Sequence, residues 1–88
     1  MGIYVEVIKT NKENERFVFY DYQFSIPNIE TKTLKLVAGK LKIDKKNGEV
    51  HTVVLAQGDK GARAQRAAWA LIRHWKNGEF PDKTSWES

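Results

Sequence analysis

Two histidines, eleven carboxylates and no cysteine are the stock from which this chain of 88 residues could build a metal site or a nucleophile. His51 and His74 lie too far apart for the His-x-x-x-His spacing that sets two imidazoles on one helix face. The lack of cysteine excludes thiolate ligands, a thiol nucleophile and any disulfide framework. No Gly-x-Ser-x-Gly elbow is present, and no glycine loop closes on a Lys-Ser or Lys-Thr pair. The segment Gly58-Asp59-Lys60-Gly61 precedes a predicted helix, whose free amides attract anions, but it is too short to cradle a phosphate and reads as a connection. Glu13 and Glu15, and again Glu79 and Asp82, fall in polar connecting segments with nothing to hold two carboxylates at a working distance. The expectation is no enzymatic activity, no cofactor and no metal.

Two clusters point instead to binding. On the predicted C-terminal helix, Arg63, Arg66 and Arg73 lie within about a quarter-turn of one another with Trp69 beside them. Tryptophan and arginine are the residues most enriched at interface hot spots, so this face is a candidate protein interface, unless Phe80 and Trp86 of the tail cover the indole. The second cluster pairs Phe17 and Phe19 with Lys40, Lys42 and His51, which share a side of the sheet if the phenylalanines face away from the helix. Aromatic rings for base stacking beside lysines for phosphates form a candidate nucleic-acid face. Which face of that strand meets the helix is left open by the alternation, because both faces begin apolar.

The elements that would carry these clusters follow from periodicity. Residues 3–9 alternate with β-branched content and read as a strand; the polar residues 10–15 read as its hairpin loop. Residues 16–24 place Val18, Tyr20, Tyr22 and Phe24 on one face and Phe17, Phe19, Asp21 and Gln23 on the other, as in a central strand. Residues 25–32, with Pro27 and Asn28, read as a loop. In residues 33–44 the apolar positions run Leu34, Leu36, Ala38 and then Leu41, Ile43, a change of phase that predicts a β-bulge at Gly39. Residues 44–49 form a tight turn in which Gly48 takes positive φ, pairing Ile43 with Val50, Leu41 with Thr52 and Gly39 with Val54. The sequence Asp-Lys-Lys-Asn-Gly-Glu-Val there identifies a turn and not a family.

Asp59 is the expected N-cap of a helix over about residues 60–77, ended by Gly78 and Pro81. Its predicted core stripe is Ala64, Ala68, Leu71, Ile72 and Trp75, with Ala67 at the border. The fold class is therefore α+β: a four-stranded antiparallel meander (β-β-β-β-α) with one C-terminal helix on one face and an extended C-terminal tail folded back over it. One domain is expected over residues 1–88, with the sheet in 3–55, the helix in about 60–77 and the tail in 79–88.

Composition sets the outer bounds. Apolar residues make up 41% of the chain, with ten aromatics, enough for a core without covalent staples. No apolar run approaches the roughly 20 residues of a membrane span, and the N-terminus lacks a secretory pattern, so a cytoplasmic location with no membrane partner is expected. Fifteen Lys and Arg against eleven Asp and Glu leave a net charge of +4, a weak attraction for polyanions. The reading is a small binding module with an unknown protein partner or a homodimer. Weak, non-specific nucleic-acid binding and an inhibitor or immunity-type role are the alternatives, although an inhibitor of a basic nuclease would be expected to be acidic.

Overall fold

Residues 3–87 are described by a computed structural model. Met1, Gly2 and Ser88, the ends of the expected domain 1–88 and tail 79–88, lie outside the described residues. In chain order the elements are β1 Tyr4–Glu13, β2 Phe17–Asn28, β3 Thr33–Asp44, β4 Val50–Val54, α1 Ala62–Trp75 and β5 Lys83–Glu87. The strands form one antiparallel sheet in the order β4-β3-β2-β1-β5. The four-stranded meander and the helix on one face are as expected. The tail is not: it pairs with β1 from Tyr4↔Glu87 to Ile8↔Lys83 instead of folding over the helix. A meander leaves β1 with a row of unpaired amides and carbonyls, and a chain leaving the helix beside that edge satisfies them by becoming a fifth strand.

The alternation of β2 resolves in favour of its tyrosines. Val18, Tyr20, Tyr22 and Phe24 face the helix and are buried with Val5, Val7, Leu41 and Ile43. The alanines of α1 allow this. Ala64, Ala67 and Ala70 are buried with Leu71, and their small side chains leave space for two phenol rings beneath the helix axis. The phenols then tie down both ends of α1. The Tyr22 hydroxyl donates to Asp59 Oδ2 at 2.7 Å, just before the helix, and the Tyr20 hydroxyl donates to the Pro81 carbonyl at 2.8 Å, just after it.

The buried stripe of α1 is rotated from the expected one: Ala67 and Ala70 are buried, whereas Ala68, Ile72 and Trp75 are only partly so. The fifth strand is the cause. It widens the sheet beyond β1 and covers a flank of the helix that would otherwise face water, where His74 Nε2 lies 2.9 Å from Thr84 Oγ1. The helix is also shorter than the expected 60–77, because residues before Ala62 are held in a turn by Asp59. The N-cap position itself falls to Gly61 and not to Asp59, whose carboxylate, two residues earlier, accepts from the amides of Gly61, Arg63 and Ala64 at 2.9 to 3.1 Å and so does a cap's work from outside.

β1 and β2 are both longer than their composition suggests, whereas β3 has its expected bounds. β2 continues through Pro27 to Asn28, and the turn is confined to residues 29–32. Proline is tolerated there because the β1 register sets Glu6 opposite Gln23, so that β1 has ended before Pro27 and, among the described residues, no strand on that side pairs with it. The polar residues expected as a loop after the first strand likewise extend β1 to Glu13, with an irregular register between Lys9 and Glu13.

No bulge occurs at Gly39. β3 pairs with β2 at every position from Asp44 to Thr33, and the irregularity is on the other side, where Lys40 lies opposite Val54 and Leu41 opposite Thr52, leaving Val53 as the extra residue of β4. The expected pairs Ile43↔Val50 and Leu41↔Thr52 are present, but Gly39 does not lie opposite Val54. Gly39 serves the packing of Tyr22, since a Cβ there would overlap the phenol ring. With no phase change, Leu34 and Leu36 stay on the sheet face away from the helix, 72% and 62% exposed.

Candidate functional site

Two surfaces collect the candidate residues. The first runs along α1 and β5. Trp69 is 41% exposed, and its partial cover comes from β5: the ring of Trp86 lies edge-on with centroids 5.5 Å apart. Phe80, the other expected cover, packs against the main core instead. The Arg66 guanidinium lies 5.3 Å from the Trp69 ring and that of Arg73 5.3 Å from the Trp86 ring. Arg63, one turn towards the N-terminus, lies 4.3 Å from the ring of Phe24. The three arginines and two indoles thus form a ridge, with Lys76 beyond Arg73 and Ile72 in the shallow depression between Trp69 and Trp86.

The electrostatics of this ridge are one-sided. The α1 sequence contains three arginines and no acidic residue. Among the described residues none of the three arginines is in an ion pair, and the Nε atoms of Arg63 and Arg66 are buried without a hydrogen-bond partner. Arg66 and Arg73 each make one long polar contact, donating at 3.4 Å to the carbonyls of Ala62 and Ser85. Guanidinium groups stacked on aromatic rings keep their in-plane donors free for carboxylate or phosphate oxygens.

The second surface is the sheet face opposite the helix. The register places Phe19 opposite Lys42, Lys42 opposite His51 and Asp21 opposite Lys40, so Phe17, Phe19, Lys40, Lys42 and His51 do share this face. Phe17 and Phe19 meet edge-on at 6.4 Å, and His51 meets Phe17 at 6.1 Å. The sequence reading missed two cations here. Lys12 lies 4.9 Å from the Phe19 ring, and Arg16 lies 4.9 Å from the Phe17 ring, with Lys42 at 4.3 Å from the same ring. The alternation of β1 past residue 9 and the short turn to Arg16 were the only signals for them. Much of the positive charge on this side is answered: Lys40 pairs with Asp21 at 3.2 Å, Lys83 with Glu6 at 3.5 Å and Arg16 with Asp44 at 3.0 Å.

Two buried carboxylates hold these surfaces in place. Burial opposes the ionisation of Asp59, but the Tyr22 hydroxyl and the three helix amides outweigh it and hold its carboxyl below the usual range. Tyr22 responds in the opposite sense: burial, helped by the neighbouring carboxylate, pushes its phenol up to about 12. The side-chain bond from Arg16, with the amides of Lys46 and Asn47, likewise holds Asp44 low. Both carboxylates are consumed by their structural partners. His74 is bound into the helix end, with Nδ1 3.4 Å from Glu79, and His51 lies 3.9 Å from Glu49. No group of three or more His, Asp or Glu among the described residues could hold a metal ion, and none of the described helices is long and apolar enough to cross a membrane. Comparison with protein-family models, with curated proteins and with solved structures finds no match to this chain.

Proposed function

We propose that this protein is a non-catalytic binding module that docks an acidic segment of another protein on the ridge formed by Arg63, Arg66, Trp69, Arg73 and Trp86. The observation that carries this reading is the combination of a half-exposed indole with three arginines that have no carboxylate of their own. An interface anchor needs apolar area at its centre and charges whose partners are missing from the free molecule, and this ridge has both. The test is fluorescence anisotropy with a labelled peptide of alternating glutamate and leucine. The peptide is expected to bind at low salt, to weaken by about tenfold, or about 1.4 kcal/mol, in Trp69→Ala, and to be lost in the double variant Arg66→Glu, Arg73→Glu. Equal binding by all three proteins would rule this reading out.

A second reading rests on the phenylalanines that face away from the helix with Lys12 and Lys42, neither of which is in an ion pair among the described residues. It is weak, non-specific binding of single-stranded nucleic acid by stacking on Phe17 and Phe19. A labelled oligothymidylate distinguishes the two. Binding that is lost in Phe19→Ala and Lys42→Ala but kept in the arginine variant would favour the sheet face.

A further inference from the structure

β3 is asymmetric along its length. β2 pairs with all of it, but β4 pairs only with residues 40–43. The seven residues 33–39 therefore have a strand on one side and, among the described residues, neither a strand nor any other backbone hydrogen bond on the other. The usual safeguards of a sheet edge are weak here. The stretch contains no proline and no bulge against β2, and its single lysine, Lys35, turns its ammonium to Gln57 Oε1 at 2.9 Å. The exposed apolar side chains gather along this edge. Leu34 and Leu36 lie on it, Ile29 at the hairpin tip is 88% exposed, and Val54 and Leu55, where β4 stops, are about half exposed.

We infer that this edge pairs with the same edge of a second copy, antiparallel about a two-fold axis through Leu36. Antiparallel partners must point to the same face, and a symmetric pairing must be centred on one residue. Centring on Leu36 uses the whole free segment: Thr33 faces Gly39 of the second copy, Leu34 faces Ala38, Lys35 faces Val37, and Leu36 faces Leu36. Centring one residue earlier would set the two Lys35 side chains against each other, and one residue later would set Leu34 against Lys40, which β4 already occupies. The Leu36 register also disposes of the remaining apolar groups. The second copy's strand starts beside the point where β4 of the first stops, so each hairpin tip, with Ile29, meets Val54 and Leu55 of the other copy. One contact thus covers the apolar edge on both molecules and extends the sheet to ten strands. A seven-residue strand pair with these side chains stands at the small end of stable interfaces, near 1,200 Å², so the dimer is weak, with a Kd in the micromolar range or above.

Cysteine cross-linking tests the register. Residues facing each other across the two-fold have Cα atoms about 4.5 to 5.5 Å apart, within disulfide reach, while the two Leu34 positions would lie roughly 13 Å apart. The chain has no cysteine of its own. With oxidised glutathione as oxidant, Leu36→Cys is expected to form a covalent dimer within the time that Leu34→Cys forms none. Sedimentation from 1 µM to about 1 mM, a window chosen to bracket that Kd, is expected to show mass rising from 10.2 kDa towards twice that value. Leu36→Lys, which places two ammonium groups on the axis at an exposed site, should stay monomeric with an unchanged melting temperature, whereas Trp69→Ala should dimerise as the wild type does. A wild-type monomer at the highest concentration, or equal cross-linking at positions 34 and 36, would overturn the proposal and leave the edge to an extended segment of another protein.

Discussion

The two ends of β3 belong to the same strand and are built on opposite principles. At the β4 end, the Asp44 carboxylate accepts from the amides of Lys46 and Asn47 and from Arg16 Nε, and the Asp44 backbone is bonded to Gly48 and to Glu49. The Trp75 indole then closes the turn from above, donating to the Lys45 carbonyl at 3.0 Å while its ring lies over Gly48. At the other end, the hairpin extends past both β1 and β4. Its side-chain bonds are exposed ones, such as Asn28 accepting from the Glu30 amide at 3.2 Å and Lys35 Nζ donating to Gln57 Oε1 at 2.9 Å. One end is fastened to the helix and to a neighbouring turn; the other is held by its ladder with β2 and, among residues 33–38, by the one buried side chain of Val37. Stability is concentrated at the fastened end, and the free end is left with apolar side chains to offer a partner.

The largest effect is expected from Gly48→Val. Gly48 has φ of 74°, where a β-branched side chain is strained, and a Cβ would come within 2.5 Å of the Trp75 ring. Strain and overlap together should cost about 3 kcal/mol or more in a denaturant melt. A loss below about 1 kcal/mol would mean that the turn is not the fastening point described.

Asp59→Ala comes next. It removes the acceptor for three helix-start amides and for the Tyr22 hydroxyl, and should cost about 2 kcal/mol. Asp59→Asn, which keeps one oxygen acceptor, should lose less. Equal losses would show that the shape and single acceptor kept by Asn count for little, and that the second carboxylate oxygen with its charge is what matters at that position.

The same groups set the pH dependence. Asp44 and Asp59 have folded pKa values below their unfolded ones, so their contribution is complete above the ordinary aspartate range near 3.9 and is lost as pH falls through the folded values. Tyr20 and Tyr22 are raised, chiefly by burial, so the unfolded chain releases their protons first as pH rises above about 10, and stability falls from there towards the Tyr22 value of about 12. The melting temperature should therefore be flat between about pH 5 and 9 and decline on both sides, more gently on the acid side in Asp44→Asn. A wild type that melts at the same temperature at pH 3 and pH 7 would contradict this.

The smallest effect belongs to the free end. Leu34→Thr changes a largely exposed side chain in a position that keeps its strand propensity, and should alter monomer stability by no more than about 0.5 kcal/mol. A loss as large as that of Gly48→Val would erase the distinction between the two ends.

What the chain itself determined is what neighbours in sequence can decide. The turn at residues 44–49 was legible because Asp, Asn and Gly each satisfy or permit a backbone geometry within a few residues. The same holds for the meander and for the helix with its stop at Gly78, where period and punctuation are local. The Arg and Trp residues of α1 were legible as a cluster because helical spacing alone brings them together. The tertiary structure decided the rest, where two local solutions were equal in kind. Either face of β2 could have met the helix; the tyrosines went in because Asp59 and the Pro81 carbonyl stand where their hydroxyls end, and a buried phenol needs such partners while a phenylalanine does not. The phase change at Gly39 looked like a bulge because the pattern does not record that the glycine makes room for the Tyr22 ring opposite it on β2. The tail became β5, and with it Trp86 came beside Trp69, because an edge with unpaired backbone groups lay open at β1, and no short stretch of sequence carries the position of an edge.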